Sequence, residues 1–312
     1  MDLKEYIKSE AARIGFPLCG VAKAVPLGAE ADRLAEWIRC GKSGEFPYIT
    51  DNLEAYSNCL IQYPEASSVI VCGLPYGLDK DDNPIDQESY GEISQYAIRQ
   101  DYHRVVKEML DELCVRVREQ LPEAMLHSYS DTGHFMEKAF AVRSGIGWQG
   151  KNTLIVNPEY GSFLFLGIII TDIKLDPDKP IEDGCKGCRK CIEACPTAAL
   201  ADDRMLSARH CISYWTTGRR ELTDVPESVI QNIGNRLYAC DECQLACPWN
   251  SRANTEREPR MPFMPGLRRI ALEDVDAMSQ AEFNKKYGDT AIGWLKAKVL
   301  KRNAALLRLK NS

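Results

Sequence analysis

No stretch of this 312-residue sequence is apolar for long enough to cross a bilayer. The longest run, FLFLGIIIT from Phe163 to Thr171, falls well short of the ~20 residues that a spanning helix needs. The opening MDLKEYIKSE is charged within three positions and lacks the apolar core of a secretory leader. There is no internal repeat, which excludes a solenoid, and no low-complexity tract. These absences point to a soluble, cytoplasmic chain with no membrane contact.

Cysteine, by contrast, is abundant. Thirteen cysteines in a reducing compartment argue for metal ligation over disulfides. With 45% apolar residues, the chain is long enough for two domains, or for one large domain with an appendage. Charge is uneven. Residues 251–312 carry thirteen Lys/Arg against seven Asp/Glu, so the remainder carries about −12 against a total of −6. After Thr290 there are six basic residues and no acid, among them Lys296, Lys298, Lys301 and Arg302. Such a segment reads either as a solvated helix face or as a basic terminal helix that approaches a polyanion such as RNA.

Periodicity gives an α+β first half. LKEYIKSEAARIG has helical spacing and stops at Gly15. SSVIVCGLPY is a short buried strand, and GLDKDDNPIDQESYGE reads as an exposed loop. A long helix is expected from about Ile93 to Glu119. NTLIVNP and SFLFLGIIIT read as two strands joined through EYG as a hairpin. DIKLDPDKPIEDG is a linker, and a second Pro/Arg-rich linker leads to the basic tail. The expected layout is therefore residues 1–175, 176–250 and 251–312.

The cysteines from 185 onward carry the chemistry. CKGCRKCIEACP has the C-x2-C-x2-C-x3-C-P spacing of bacterial two-cluster ferredoxins, in which the fourth cysteine ligates the other cluster. On that rule Cys185, Cys188 and Cys191 serve one 4Fe–4S cluster and Cys195 crosses to a second. CDECQLACP supplies Cys240 and Cys243 to the second cluster and returns Cys247 to the first. The second set needs one more thiolate, and Cys211 is the one cysteine left in this region. Zinc also takes C-x2-C pairs, but two proline-terminated runs favour clusters. Cys19, Cys40, Cys59, Cys72 and Cys114 read as small buried hydrophobes. GIGWQGKN nearly matches two phosphate-binding motifs through Gly145, Gly147, Gly150 and Lys151. It lacks their strand–loop–helix context, and Asn152 stands where a hydroxyl is needed. The loop lets a large ligand approach the backbone, or is a tight turn.

Clusters of this kind deliver single electrons, so a further cofactor is expected in the domain ahead of them. The block from SDTGHFMEKAF to LFLGIIITD, the first cysteine run, RHCISYW and GNRLYACDECQLACPWN together resemble the epoxyqueuosine reductase family. SGEFPY, YAIRQDYHRVV and LKRNAALLRLKN also fit, so the resemblance covers nearly the whole chain. It implies a nitroreductase-like α+β domain that binds cobalamin, followed by a ferredoxin-like module with two 4Fe–4S clusters and a short basic helical tail. It implies reduction of the epoxide of epoxyqueuosine at the tRNA wobble position to queuosine, the last step of queuosine biosynthesis. The partners implied are a queuosine-type tRNA anticodon stem-loop and an external low-potential electron donor, with a monomer expected.

Asp131, in SDTG, matches the family's proton donor and a cobalamin neighbour. Burial against the corrin would raise its pKa toward that task. Without the resemblance it reads as a turn or N-cap residue. Ile155, Asn157, Leu166 and Ser213 match segments that contact cobalamin, and His103 is expected to pack on its helix and not to ligate cobalt. Asn52, Tyr56, Cys59, Gln95 and His134 depart from the family pattern, and the Tyr56 and Gln95 positions lose arginines of the cobalamin pocket. Alternative readings are a cobalamin and iron–sulfur reductase of a small molecule, like the reductive dehalogenases, and a ferredoxin-type electron-transfer subunit.

Overall fold

The structure is a computed structural model that describes residues 2–78, 89–218, 222–251, 253, 258–264 and 266–309. Most of the predicted GLDKDDNPIDQESYGE loop and part of the second linker lie outside these residues.

The first half is built on a four-stranded antiparallel sheet of order β1-β2-β7-β4, from Leu18–Lys23, Ser68–Pro75, Leu164–Thr171 and Leu126–Tyr129. Every residue of β2 is buried, and its side chains alternate between two cores, as a two-residue period demands. Ile70, Cys72 and Leu74 face one side with the helices Leu3–Ile14 and Tyr102–Gln120. Val69 and Val71 face the other side with Phe140, Ile146 and Ile155. The first helix ends at Gly15, whose φ of 117° lets its N–H close back on Ala11 and Ala12.

Two expectations shift. The long helix begins at Tyr102, about nine residues later than its apolar pattern suggests, because Asp101 caps it by accepting the His103 N–H at 3.1 Å. The preceding residues form β3 (Tyr90–Ile93) and a short 3₁₀ turn, Gln95–Ala97. The expected hairpin between NTLIVNP and SFLFLGIIIT is also re-paired. β5 (Trp148–Gln149) pairs with β6 (Ile155–Val156), while β7 joins the large sheet. Asn157 causes the switch. Its backbone bridges Gly161, its Oδ1 accepts from the N–H groups of Glu159 and Tyr160, and its Nδ2 donates to the Ile146 carbonyl.

A third core gathers residues from all three predicted segments. β3 pairs in parallel with β8 (Arg236–Tyr238) and antiparallel with β9 (Arg269–Ala271). Ile93, Trp215, Leu237, Ile270 and Leu300 share one apolar cluster. This cluster therefore draws on residues from both sides of 175 and 250. The C-terminal helix Ala297–Leu309 inserts Val299, Leu300, Ala304, Leu306 and Leu307 into that cluster, so it is a packed element and not a free tail.

Candidate active site and cysteine centres

β4 delivers Ser130 and Asp131 to the end of the large sheet, where Ser130 Oγ donates to the Leu166 carbonyl at 2.9 Å. Asp131 has a left-handed φ of 56°, and its N–H donates to Glu137 Oε1 at 2.8 Å. It is not an N-cap: Met136 precedes the helix Glu137–Arg143. Its carboxylate instead accepts from Tyr102 Oη at 2.5 Å and lies 3.6 Å from His103 Nε2. His103 Nδ1 is held by Asp101 Oδ1 at 2.7 Å. The Tyr102 ring is fixed between Phe165, nearly coplanar at 4.3 Å, and the His103 imidazole at 4.0 Å.

Charge in this group is tightly arranged. Burial works against protonation of His103, but the Asp101 and Asp131 carboxylates overcome it and push its pKa to about 9. Burial alone would raise Asp131, yet the hydrogen bonds from His103 and Tyr102, with the His103 and Lys138 charges, hold it below the usual carboxylate range. This is the reverse of the expectation from burial against a corrin. Burial, then the Asp131 charge, raises Glu137 to about 8, and burial lowers Lys138. The Asp131 side chain nevertheless keeps 67% of its accessibility. Lys138 lies within electrostatic reach of Asp131, Glu137 and the Cys243 thiol, which ties this group to the cysteine-rich module. The Tyr56 ring lies 5.3 Å from that of His134, and Tyr56 feels the Asp131 and Glu137 charges.

The eight cysteines from 185 onward fall into two groups of half-buried thiols. Cys185, Cys188, Cys191 and Cys247 line one cavity together with Lys151, Asn152, Val156, Pro248 and Trp249. Cys243 is faced by Cys240, Cys211 and Cys195. Burial, reinforced by neighbouring thiolates, pushes Cys191 to about 11 and Cys240 to about 12. Such thiols ionise together only around a cation, which suits a cluster. They are spread around a space instead of converging on a point. Among the described residues no three His, Cys, Asp or Glu side chains gather closely enough for a single ion, whereas tetrahedral zinc would draw sulfurs to roughly 3.8 Å of one another.

The module is locked to the first half beside these thiols. Trp148 packs edge-on against Trp249 and donates from Nε1 to Cys185 Sγ at 3.4 Å. Asn250 accepts from the Ser162 N–H and donates to Ser162 Oγ. The glycine-rich loop thus leads into the β5–β6 turn over the first cavity, and Gly147 has no room for a Cβ beside the Val156 carbonyl.

The remaining predicted positions scatter. Leu166 is half-buried beside Ser130. Ile155 is core, and the Asn157 side chain is occupied by its own turn. The Ser213 N–H donates toward the Cys211 thiol at the start of the helix Ile212–Thr217. Cys40 is exposed, not buried, and sits 2.9 Å from Glu36 Oε1. Lys298 in the terminal helix and Lys296 immediately before it are exposed. Arg302 instead turns inward to the carbonyls of Trp215 and Gly218, both at 3.0 Å, and leaves the expected basic patch. Sequence reasoning missed Tyr102, Glu137, Lys138 and the role of His103. The D-Y-H triplet at a helix start was the available signal, since a capping aspartate necessarily neighbours the residue two positions on.

Comparison with known proteins agrees with this architecture. Residues 60–132 match the family described as epoxyqueuosine reductase QueG, DUF1730, and residues 184–250 match a 4Fe-4S double cluster binding domain. An epoxyqueuosine reductase of Bacillus cereus is 35% identical over 98% of this chain and 80% of its own length. One from Cellulophaga algicola is 32% identical over 97% of each. Among solved structures, an epoxyqueuosine reductase with a tRNA-Tyr epoxyqueuosine-modified stem loop superposes with a TM-score of 0.90 at 35% identity. That match covers 98% of this chain and 80% of that one. A Bacillus subtilis epoxyqueuosine reductase, described with its aspartate-bearing catalytic loop swung out of the active site, gives 0.86 at 33%, covering 98% and 80%.

Proposed function

The chain belongs to the epoxyqueuosine reductase family, and from that premise we propose how its own residues perform the reaction. It is an oxidoreductase that reduces the epoxide of epoxyqueuosine in tRNA to the alkene of queuosine. Two electrons and two protons remove the oxygen as water. The cofactors are cobalamin and two 4Fe–4S clusters. Cobalamin, when bound, supplies the low-potential chemistry at the C–O bond, and the clusters pass single electrons to it. Cys185, Cys188, Cys191 and Cys247 would hold one cluster, and Cys195, Cys211, Cys240 and Cys243 the other. The first half, read as a nitroreductase-like domain, would hold the corrin beside Asp131, Tyr56 and Lys138. Leu166 and Ser213 are proposed at its edge.

The observation that carries this reading is the pairing of Asp131 with His103. Asp131 is the proposed proton donor to the departing oxygen, yet its neighbours hold it ionised at neutral pH. It must therefore be loaded. His103, protonated at neutral pH, stands 3.6 Å away with its far nitrogen fixed by Asp101. A proton passed from His103 Nε2 to Asp131 Oδ2 and on to the oxygen supplies one equivalent. Glu137, neutral up to about pH 8, holds a second proton on the carboxyl whose Oε1 accepts the Asp131 N–H. Tyr102 fixes the orientation of the Asp131 carboxylate by donating to Oδ2.

The tRNA grip is assigned to exposed Lys296, just before the terminal helix, and Lys298 within it, with half-buried Lys301 on the same helix. The electron donor is external, and the enzyme is read as a cytoplasmic monomer. Among the described residues no helix is long and apolar enough to cross a membrane. The test is anaerobic turnover of an epoxyqueuosine-bearing anticodon stem-loop, with the product followed by mass for loss of one oxygen. A protein loaded with cobalamin and clusters that leaves the epoxide intact would overturn this reading.

A further inference from the structure

Asn152 carries a buried amide that the fold does not use. The side chain is 4% exposed, and its Nδ2 has no hydrogen-bond partner. Its orientation is fixed by its other end, since Oδ1 accepts from the Leu154 N–H at 3.3 Å. The turn that holds it is built for the purpose. A Cβ on Gly150 would come within 2.5 Å of Asn152 Oδ1, so only glycine fits there. Thr153 then takes a left-handed φ of 65° as its N–H returns to the Gly150 carbonyl at 3.0 Å. This geometry brings Asn152 to the wall of the cavity that Cys185, Cys188, Cys191 and Cys247 line. The neighbouring Lys151 is already engaged, with Nζ 3.0 Å from Asp202 Oδ1. Buried donors without partners are rare in native folds and call for an explanation. Here the residue that carries the donor lines the space between four thiols.

We propose that the Asn152 amide donates a hydrogen bond to a sulfur of the cluster held by Cys185, Cys188, Cys191 and Cys247, and that this bond raises the cluster's reduction potential. The proposal rests on the cluster assignment given above. Hydrogen bonds to cluster sulfurs are among the levers that set such potentials. The added electron increases negative charge on sulfur, so an N–H donor stabilises the reduced form more than the oxidised one. Trp148 Nε1, which donates to Cys185 Sγ, acts in the same sense. The second group of thiols is not lined by Asn152, so its cluster serves as an internal reference.

The experiment is an anaerobic redox titration of the full-length holoprotein, with both clusters followed by electron paramagnetic resonance and iron counted beforehand. Asn152→Leu removes the donor. Asn152→Asp keeps an oxygen for the Leu154 N–H and replaces the donor by an acceptor, so it preserves the turn if the leucine variant assembles poorly. A roughly tenfold loss in the reduction equilibrium is expected for Asn152→Leu. That is a fall of about 59 mV for a one-electron couple, confined to one cluster. Asn152→Asp should fall at least as far. Unchanged midpoints in both variants, or equal shifts in both clusters, would overturn the proposal. Loss of iron from both variants would assign Asn152 to the fold alone and overturn it equally. Wild-type protein lacking either cluster by iron count would instead overturn the ligand assignment, and this inference with it.

Discussion

Replacing Asp131 by asparagine separates the proton from everything else the residue does. Asparagine keeps the outline of the side chain and tolerates the left-handed φ of 56° better than most residues. Its amide oxygen can still accept from Tyr102, and its N–H can still reach Glu137. What disappears is the negative charge and the capacity to deliver a proton. If Asp131 donates to the departing oxygen, single-turnover reduction should slow by roughly 10²–10⁴, or about 2.7–5.4 kcal/mol at ~1.36 kcal/mol per decade. A second effect follows from the geometry. His103 is held at about 9 by two carboxylates, Asp101 at 2.7 Å and Asp131 at 3.6 Å. Losing the more distant one should lower the His103 pKa by roughly one pH unit, with Asp101 retaining the rest. The assay is single-turnover on an epoxyqueuosine stem-loop with bound cobalamin and iron quantified, alongside NMR titration of His103. An Asp131→Asn protein that is fully loaded and turns over at the wild-type rate would remove the residue from the chemistry. An unmoved His103 would show that the two side chains are not coupled.

Other outcomes are equally specific. Cys211→Ala should lose or degrade the cluster assigned to Cys195, Cys240 and Cys243 while sparing the other, read by iron content and electron paramagnetic resonance. Neutralising Lys296, Lys298 and Lys301 should flatten the salt dependence of tRNA binding by about 0.7–0.9 log units for each phosphate no longer neutralised, whereas Arg302→Ala should lower Tm and leave the salt slope alone. Asn303→Ala should cost roughly 1–3 kcal/mol for each carbonyl left unpaired, because its buried Nδ2 serves both Thr216 and Leu237. For pH, the His103 pKa is raised from 6.5 to about 9 on folding, so its stabilisation is complete below about 6.5 and lost as pH climbs through 9. His103→Gln should therefore flatten the alkaline decline of the urea midpoint.

The parts legible in the sequence are those whose cause is local. Gly15 stops a helix through its own backbone, and the Val/Ile run of β2 states its burial in its composition. The register of cysteine runs is also a local count, and it brings Cys185, Cys188, Cys191 and Cys247 around one space although Cys247 lies far along the chain. What escaped depends on partners remote in sequence. β7 turns away from its neighbour β6 at Asn157 and pairs with β2 and β4, strands remote in sequence that no periodicity reports. His103 looks like a packing residue until Asp131 arrives beside it. Asn152 resembled a failed phosphate loop because the four cysteines whose cavity it lines come from later in the chain. Arg302 counted as surface charge, yet two carbonyls of the cysteine-rich module claim it.

The small sheet of β3, β8 and β9 has a consequence for how the enzyme is made. β3 leaves the ribosome with neither of its partners in existence, and β9 follows it by roughly 180 residues, on the order of ten to forty seconds of synthesis. For that interval an edge strand and the core behind it stand open. The helix that seals this core, Ala297–Leu309, is made later still. Cys240 and Cys243 directly follow β8, so their final spacing cannot be set until then. Metallation of that group is thereby ordered after synthesis of that helix, and a chain still short of it would present loose thiols to oxygen.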